Sequence, residues 1–418
     1  MKISKLYPFL IFLVIAISGN PAIGVLGSET VYIGSLLIFI GLWLYKPVKF
    51  KTQDALIFGI FTLLILTHAL FFGLFIVNAS LGFLVKLGIA FLATRLIPDF
   101  TFRYVTTMYV LSLISFVFWL PLFFGADMRS IFSALRVPLI NSDHFTIVIA
   151  NLRSEYDGSI RNMGMFWEPG AFAGYLILAL FFLSRDHQNN PKILKQGLVL
   201  SAALLSTQST TGYLAFMALS IMYANNTDWV KSTRAKLLVL PTFLIVMVGA
   251  IIISVNQLDF VGQKISGQFE STTRGDAASR INRIGNFLYD LEWILKSPII
   301  GWSATPETRF LIDPEVEELV SAQGNGLTGF AVKFGLIGLA VFIFSFGYVT
   351  MQITGSLYTS LIGVLLMCIL LFGEQFLNFP IFLSLMFLPK RKSKSRNSLL
   401  TCNGQNLELA SGRMRNQP

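Results

Sequence analysis

Charged residues are scarce in this sequence, where Asp, Glu, Lys and Arg make up only 13% of 418 residues. Soluble globular domains carry about a quarter, so the shortage excludes an ordinary soluble protein. In place of charge, 54% of the residues are hydrophobic and 14% are aromatic. Several apolar runs reach the roughly 20 residues that a helix needs to cross a bilayer. We therefore predict an all-α polytopic membrane protein.

Cysteine and histidine are rarer still, with two and three copies respectively. Cys368 falls in an apolar run and Cys402 in a basic tail. The two thiols should lie in different environments, so we expect no structural disulfide. No cysteine or histidine pair has the spacing of a metal site. A thiolate metal centre is therefore not expected.

Basic residues outnumber acidic ones and give a net charge of +10, but their placement argues against nucleic-acid binding. Residues 390–418 follow an apolar run and hold seven Lys or Arg and one Glu. Basic segments beside membrane spans are typical of cytoplasmic loops and also favour anionic lipid. We predict a basic cytoplasmic tail at 390–418 and expect it to be disordered, because it is polar and poor in aromatic residues.

Hydropathy divides residues 1–389 into about twelve transmembrane helices of a single domain. The loops alternate in charge, and placing the basic ones in the cytoplasm puts both termini there. Segment 192–226 is long for one span and short for two. Because both flanking loops are basic, we predict two short helices joined by STQSTTG, whose hydroxyls either serve the turn alone or line a cavity. The predicted spans are 6–27, 30–45, 54–77, 80–97, 104–125, 163–184, 192–207, 210–226, 236–255, 327–350, 355–373 and 375–389.

Two large extracytoplasmic loops are predicted, at about 126–162 and 256–326. The second carries six basic and ten acidic residues and should contain helices of its own. Apolar residues recur at helical spacing within 277–295, while two arginines and Asn286 fall on the opposite side. Such a helix would lie on the membrane surface with its arginines turned inward.

The stretch RNMGMFWEPGAFAGY, residues 161–175, brings Arg161, Trp167 and Glu168 to the start of a predicted membrane helix. Glu168 precedes Pro169, which suits the first helical position, so this carboxylate either caps the helix or faces an outward cavity. Arg161 is either an anchor at the membrane interface or a ligand for phosphate oxygens, which arginine grips in pairs. Trp167 offers a flat apolar face to a sugar. We predict that these residues form one half of a site.

Three arginines lie within ten residues of the second outer loop, namely Arg274, Arg280 and Arg283. They either pair with acidic neighbours such as Asp276 and Asp290 or clamp a diphosphate. A lipid-linked diphosphate carries negative charge at the bilayer surface, and opposing arginines would neutralise it. We predict that this loop supplies the other half of the site.

Two lysines, Lys86 and Lys333, fall inside apolar runs. Ionisable groups within spans are functional candidates because their burial is costly. Lys333 lies near the outer end of its helix and either reaches the membrane surface or serves a site. Lys86 is nearer the middle of its span. His68, also near the middle of a helix, is expected to be a hydrogen-bonded core residue.

Several short motifs follow one another between residues 160 and 340. They are Arg161 with Gly164-x-Phe166-x-Glu168-Pro169-Gly170, then STQSTTG, then Ser279-Arg280, then Ser297-Pro298-Ile299-Ile300-Gly301-Trp302, and finally Asn325 before Lys333-x-x-Gly335-Leu336-Ile337-Gly338. Their order and their placement in loops resemble the O-antigen polymerase and O-antigen ligase superfamily of bacterial polysaccharide assembly.

The resemblance implies a glycosyltransferase of the bacterial plasma (inner) membrane with a helical fold of the GT-C type. Such proteins use glycans linked to polyprenyl diphosphate and need no nucleotide sugar, cofactor or catalytic metal. An acceptor hydroxyl attacks the anomeric carbon of the donor sugar, and polyprenyl diphosphate leaves. By this analogy, Arg161 and Arg280 hold the diphosphate, and Glu168 or a nearby group orients the acceptor hydroxyl. A chain-length regulator and a flippase are further implied partners.

One departure from the family pattern favours a repeat-unit polymerase over a ligase. Ligases typically have a His-Asn pair before the late glycine-rich helix, whereas this chain has Ala322-Gln323-Gly324-Asn325. The identity of the base is left open, because His144 is the only histidine of the outer loops. A transporter or flippase of lipid-linked sugars is a third alternative, although no internal repeat is visible. We predict as catalytic residues Glu168, Arg161 and Arg280, and as substrate-binding residues Trp167, Arg274, Arg283, Asn325 and Lys333.

Overall fold

A computed structural model describes most of the chain. The described residues are 5–24, 28–137, 145–152, 160–185, 192–225, 283–310, 312 and 325–389. Several sequence predictions lie outside these ranges, namely the span 236–255, the tail 390–418, and the residues Arg274, Arg280 and His144.

The described elements are nearly all helices. The first part of the chain forms α1 (Tyr7–Gly19), α2 (Pro21–Gly24), α3 (Ser28–Tyr45), α4 (Thr52–Phe72), α5 (Val77–Leu96), α6 (Phe100–Phe123) and α7 (Met128–Ile131). Next come α8 (Pro169–Arg185), α9 (Lys192–Ser206), α10 (Thr210–Asn225), α11 (Arg283–Lys296) and α12 (Glu307–Phe310). The last helices are α13 (Gly326–Thr354), α14 (Leu357–Gly373) and α15 (Pro380–Leu383). Short 3-10 turns lie at Ser133–Leu135, Phe376–Asn378 and Ser384–Phe387, and β1 (Thr146–Ile147) pairs antiparallel with β2 (Ala150–Asn151).

Four of the described helices are long and apolar enough to cross a membrane: α4, α5, α6 and most of α13. Shorter apolar helices accompany them, namely α1, α3, α8, α9, α10 and α14. These lengths and compositions are those expected of an all-α membrane protein. Two short helices over 192–226 are also confirmed, because α9 and α10 are separate helices joined by residues 207–209. That each of them crosses the membrane stays a prediction.

The prediction of one continuous helix over 375–389 is wrong. The structure has a 3-10 turn, the short helix α15 and a second 3-10 turn in this segment. A proline disfavours helical backbone in the residue before it, and Phe379, which precedes Pro380, is extended at φ −118° and ψ 138°. The segment is nevertheless buried, with Ile381 and Phe382 both 0% exposed. It therefore packs among the helices.

Helix α8 is buried along most of its length and packs against α6, α9 and α10. Gly174 allows a close approach to the segment after α14, because a Cβ at this position would overlap the ring of Phe376. The ring of Tyr175 lies 6.1 Å from that of Phe376 and 5.2 Å from that of Phe382, between centroids. The start of α8 and the segment after α14 are therefore in direct contact.

A buried ion pair joins α4 to α5. Arg95 Nη2 lies 2.9 Å from Asp54 Oδ1, and the two side chains are 12% and 2% exposed. The same carboxylate accepts a hydrogen bond of 3.1 Å from the backbone N–H of Lys51. These bonds satisfy a carboxylate that would otherwise be buried at high cost.

Helix α13 is broken at Gly335, whose backbone lies at φ 66° and ψ −175°. This region is essentially reserved for glycine. The loop after α11 fills the break: Trp302 N–H donates to the Val332 carbonyl at 2.7 Å, and Leu336 N–H donates to the Pro298 carbonyl at 2.8 Å. Buried backbone groups must find hydrogen-bond partners within the protein, so this loop stabilises the break.

Two glycines permit the loop to approach the helix so closely. A Cβ on Gly301, itself at φ 77°, would lie 2.5 Å from the Gly335 nitrogen. A Cβ on Gly335 would overlap the carbonyl oxygen of Ile299. Residues 297–303 therefore link the end of α11 to the middle of α13 and set the relative position of the two helices.

Candidate functional site

Arg161 lies inside the protein, at 8% exposure, and contacts the turn between α9 and α10. Its Nε and Nη2 donate to the backbone carbonyl oxygens of Thr207 and Gln208, each at 2.9 Å. Carbonyl groups at the end of a helix lack intrahelical partners, so the guanidinium satisfies the end of α9. This geometry agrees with an anchoring role, and the binding of a diphosphate by Arg161 stays a prediction.

Trp167 and Glu168 precede α8, and both side chains are half-buried. The Trp167 ring lies 5.0 Å from the Phe379 ring, between centroids. Pro169 is the first residue of α8, and the Glu168 carbonyl accepts a hydrogen bond of 3.2 Å from Phe172 N–H. The backbone of Glu168 therefore stands at the N-cap position, and capping by its carboxylate stays a prediction. Its role toward an acceptor sugar stays a prediction.

The segment between α14 and α15 connects the residues before α8 to α13. Asn378, which is next to Phe379, accepts at Oδ1 a hydrogen bond of 3.2 Å from Lys333 Nζ. Gly326, at the start of α13, lies so close to the backbone of Glu374 that a Cβ would overlap it. Lys333 is therefore directed at a protein group. A small recess between the two elements is lined by Gly326, Gly329, Phe330, Lys333, Gln375 and Asn378.

Buried polar groups gather at the amino-terminal end of α13. Asn325 is 0% exposed, and its Oδ1 caps the helix by accepting from the N–H groups of Leu327 and Thr328, both at 3.1 Å. The Nδ2 of Asn325 is buried without a hydrogen-bond partner among the described residues. Thr328 Oγ1 donates to Asp290 Oδ2 at 2.6 Å. Because Asp290 is also 0% exposed, a buried carboxylate joins α11 to α13.

Arg309, on the short helix α12, is the most buried cation of this region, at 1% exposure. Its guanidinium carbon lies 6.0 Å from the centroid of the Trp293 ring. Its Nε and Nη1 are buried and have no hydrogen-bond partner in the part of the chain that the structure describes. A buried donor without a partner is costly, especially on a charged group, and an anion placed beside Arg309 would remove that cost.

Asp290, Arg309 and Lys333 interact electrostatically. Burial raises the pKa of Asp290 to about 6, while the hydrogen bond from Thr328 and the charges of Arg309 and Lys333 act to lower it. Burial lowers the pKa of Arg309 from its ordinary value, and Asp290 opposes that shift. Arg309 and Lys333 thus both act on the Asp290 carboxylate. We call Asp290, Arg309 and Lys333, together with Asn325 and Thr328, the polar cluster.

Two of the predicted substrate-binding residues, Lys333 and Asn325, lie in the polar cluster. Arg283 is the first residue of α11, and its side chain lies outside the described part of the structure. Arg274 and Arg280 lie outside it altogether. The clamp predicted from these three arginines therefore stays a prediction.

Sequence reasoning missed Asp290 and Arg309 as site residues. A signal for Asp290 existed, because Arg283, Asn286 and Asp290 recur at helical spacing on one face. In the structure, Asn286 is 2% exposed whereas Leu288, on the apolar face, is 46% exposed. The helix thus turns its Asn286 side inward, as predicted. Arg309 offers no such signal, since its four-residue helix is too short to show a period.

His68 and Lys86, which the sequence places inside apolar helices, pack against aromatic and backbone groups. His68 is confirmed as a hydrogen-bonded core residue, because it is 2% exposed and its Nε2 lies 2.7 Å from the Ile300 carbonyl oxygen. Lys86 Nζ lies 4.9 Å from the centroid of the Tyr32 ring. This contact is a cation–π interaction, which stabilises the ammonium group between α5 and α3.

Together these features describe a helical protein whose apolar helices fit a membrane protein and which has a buried polar cluster at one end of a broken helix. No family model and no curated protein matches the chain. The chemistry of the cluster is therefore the basis on which a function can be proposed.

Proposed function

We propose that this protein polymerises oligosaccharide repeat units linked to polyprenyl diphosphate into O-antigen, capsule or exopolysaccharide. The reaction is a glycosyl transfer at the outer face of the bacterial plasma membrane. The observation that carries the proposal is the polar cluster, in which buried Arg309 and half-buried Lys333 adjoin buried Asp290 at the amino-terminal end of α13.

Burying cations among apolar helices is costly, and such residues are kept where they bind a substrate. Arg309 has two buried nitrogens without a partner in the described residues, and Lys333 makes one bond, to Asn378. A diphosphate offers several anionic oxygens, and arginine binds such oxygens in pairs. A lipid-linked diphosphate therefore fits these two cations, because its lipid chain stays among the apolar helices while its headgroup meets Arg309 and Lys333.

The segment before α8 suits the sugar part of such a substrate. Trp167 stands beside Phe379, next to the Asn378 that binds Lys333. Aromatic faces bind the apolar faces of sugar rings, and in this proposal Glu168 orients the acceptor hydroxyl. Arg161 and the outer-loop residues Arg274, Arg280 and Arg283 complete the grip on the diphosphate.

The proposal includes a GT-C-like helical fold and a topology of twelve spans, in which the buried segment 375–389 makes the last crossing without forming one continuous helix. Both termini lie in the cytoplasm, which is supported by the basic connections and by the basic tail at 390–418. The outer ends of α8 and α13 then face the side on which lipid-linked repeat units are joined. A flippase that delivers these units and a chain-length regulator are the proposed partners, besides the bilayer itself.

Reconstitution with a single substrate tests this function. The purified protein is placed in proteoliposomes with lipid-linked repeat unit alone, and products are resolved by size. A polymerase gives a ladder of chains, since its donor and its acceptor are the same molecule. Product that forms only after a different acceptor is added would identify a ligase. Movement of the substrate across the bilayer without any new linkage would identify a transporter.

A further inference from the structure

Helix α11 has three sides with different surroundings. Its inner side packs against α13 and is buried, with Asp290 and Trp293 both 0% exposed. A second side carries exposed leucines that recur at helical spacing, namely Leu288, Leu291 and Leu295. Glu292 and Lys296 lie exposed beside these leucines. A helix with one apolar and one charged exposed side is typical of the boundary between a membrane and water.

The exposed leucines continue into the loop after α11, where Ile299 is 63% exposed. We call these four residues the apolar strip: Leu288, Leu291, Leu295 and Ile299. The Ile299 carbonyl accepts a hydrogen bond of 3.3 Å from Ile337 N–H of α13, and the side chain of Ile337 is exposed as well. Phe344 and Tyr348 extend this exposed side of α13 at helical spacing. Since α13 is long and apolar enough to cross a membrane, the apolar strip is continuous with the surface that a membrane span turns to lipid.

The loop after α11 lies at the level of two membrane-length helices, α4 and α13. The Ile300 carbonyl oxygen lies 2.7 Å from Nε2 of His68, which precedes the end of α4 at Phe72 by about one helical turn. The carbonyls of Pro298 and Ile299 accept from N–H groups that lie well inside α13. The sequence predicts a helix on the membrane surface at 277–295, whereas the loop that follows it enters the level of the spans.

The backbone of this loop is hydrogen-bonded as an apolar environment requires. The carbonyls of residues 298–301 each accept a bond from within the protein: Pro298 from Leu336 N–H, Ile299 from Ile337 N–H, Ile300 from His68 Nε2, and Gly301 from Ser297 Oγ. A loop in water can leave such groups to the solvent, whereas a loop among lipid cannot. The side chains of Pro298 and Ile299 are nevertheless exposed. Apolar side chains on the outside and carbonyls bonded on the inside are the pattern expected of a loop in contact with lipid.

We infer that α11 and residues 297–303 bind the bilayer as a re-entrant element, with the apolar strip covered by the acyl chains of one leaflet. In the topology proposed above this is the outer leaflet. Glu292 and Lys296 then face the headgroups and water, while the buried side of α11 stays packed on α13. This arrangement depends on α4 and α13 as membrane spans and does not depend on glycosyl transfer.

Spin labelling of the full chain in proteoliposomes measures this contact with lipid. In a background of Cys368→Ala and Cys402→Ser, a single cysteine is introduced by Leu295→Cys or Ile299→Cys and carries a nitroxide. Relaxation of the nitroxide by oxygen, which concentrates in lipid, is compared with relaxation by a nickel chelate, which stays in water. We expect the ratio of oxygen to nickel accessibility at both positions to be several times the ratio at Glu292→Cys, the matched control on the charged side of α11.

Equal ratios at Leu295→Cys and Glu292→Cys would overturn the inference, because both exposed sides of α11 would then lie in water. A label at Leu295→Cys that neither reagent reaches would also overturn it, since a protein surface would then cover the apolar strip. Leu295 is 71% exposed, so its replacement leaves the core packing intact and tests the contact even where Ile299→Cys does not fold. Failure of the wild-type protein to form any polymer would overturn the proposed function and leave the contact with lipid unaffected.

Discussion

The break in α13 depends on Gly335, and Gly335→Ala should destabilise the protein strongly. Alanine at φ 66° and ψ −175° is strained, at a cost of about 1–3 kcal/mol. Its Cβ would also overlap the Ile299 carbonyl oxygen, so the loop after α11 must move away. That movement loses the bonds from Leu336 N–H to Pro298 at 2.8 Å and from Ile337 N–H to Ile299 at 3.3 Å. Each bond contributes about 0.5–1.5 kcal/mol.

Together these losses amount to about 2–6 kcal/mol, a large part of the total stability of a typical domain. Thermal unfolding of the purified protein in detergent measures the effect, and a fall in Tm on the order of 10 °C is expected. Tryptophan fluorescence is a suitable signal, because Trp302 and Trp293 both lie at the loop. Gly59→Ala is the matched control: Gly59 lies in the middle of α4, and a Cβ there meets no atom within 4 Å. An unchanged or raised Tm for Gly335→Ala would refute the account of the break.

Two further substitutions test single interactions. Asp54→Asn leaves the guanidinium of Arg95 buried without its carboxylate, so the free energy of unfolding should fall by about 3–5 kcal/mol. Chemical unfolding measures this change, and a loss below about 1 kcal/mol would speak against a stabilising pair. Arg161→Lys keeps the charge but replaces the two nitrogens that reach Thr207 and Gln208 by one ammonium nitrogen on a flexible stem, so it should lose about 1–3 kcal/mol. The same variant should shorten the polymer ladder if the guanidinium of Arg161 also binds two oxygens of a diphosphate at once. A ladder of normal length would leave Arg161 with its anchoring role alone.

Local signals in the sequence account for much of the helical layout. Hydropathy and the charges of the flanking loops predict the α9–α10 hairpin, and helical spacing predicts which side of α11 is buried. The position of Pro169 predicts where α8 begins. These features could be read from sequence because each depends on residues that are neighbours along the chain or along one helix face.

The polar cluster could not be predicted in the same way. Asp290, Arg309 and Lys333 come from three elements, and they meet because the loop after α11 enters the break at Gly335. That contact depends on two backbones approaching through glycines, and neither periodicity nor composition carries such information. The helix predicted over 375–389 was wrong for a related reason. This segment is buried inside the protein, so it has the hydropathy of a membrane span although it does not form one helix.

The role of the polar cluster is tested most directly by removing the buried cation Arg309 while the rest of the protein stays intact. Arg309→Gln is placed in proteoliposomes with lipid-linked repeat unit, beside Lys296→Gln, which removes an exposed positive charge from the end of α11. We expect Arg309→Gln to lose polymer formation about 100-fold or more, as on removal of a donor to a developing negative charge, while Lys296→Gln keeps it. Equal ladders from both variants, with both proteins folded, would contradict the claim that the polar cluster carries the reaction.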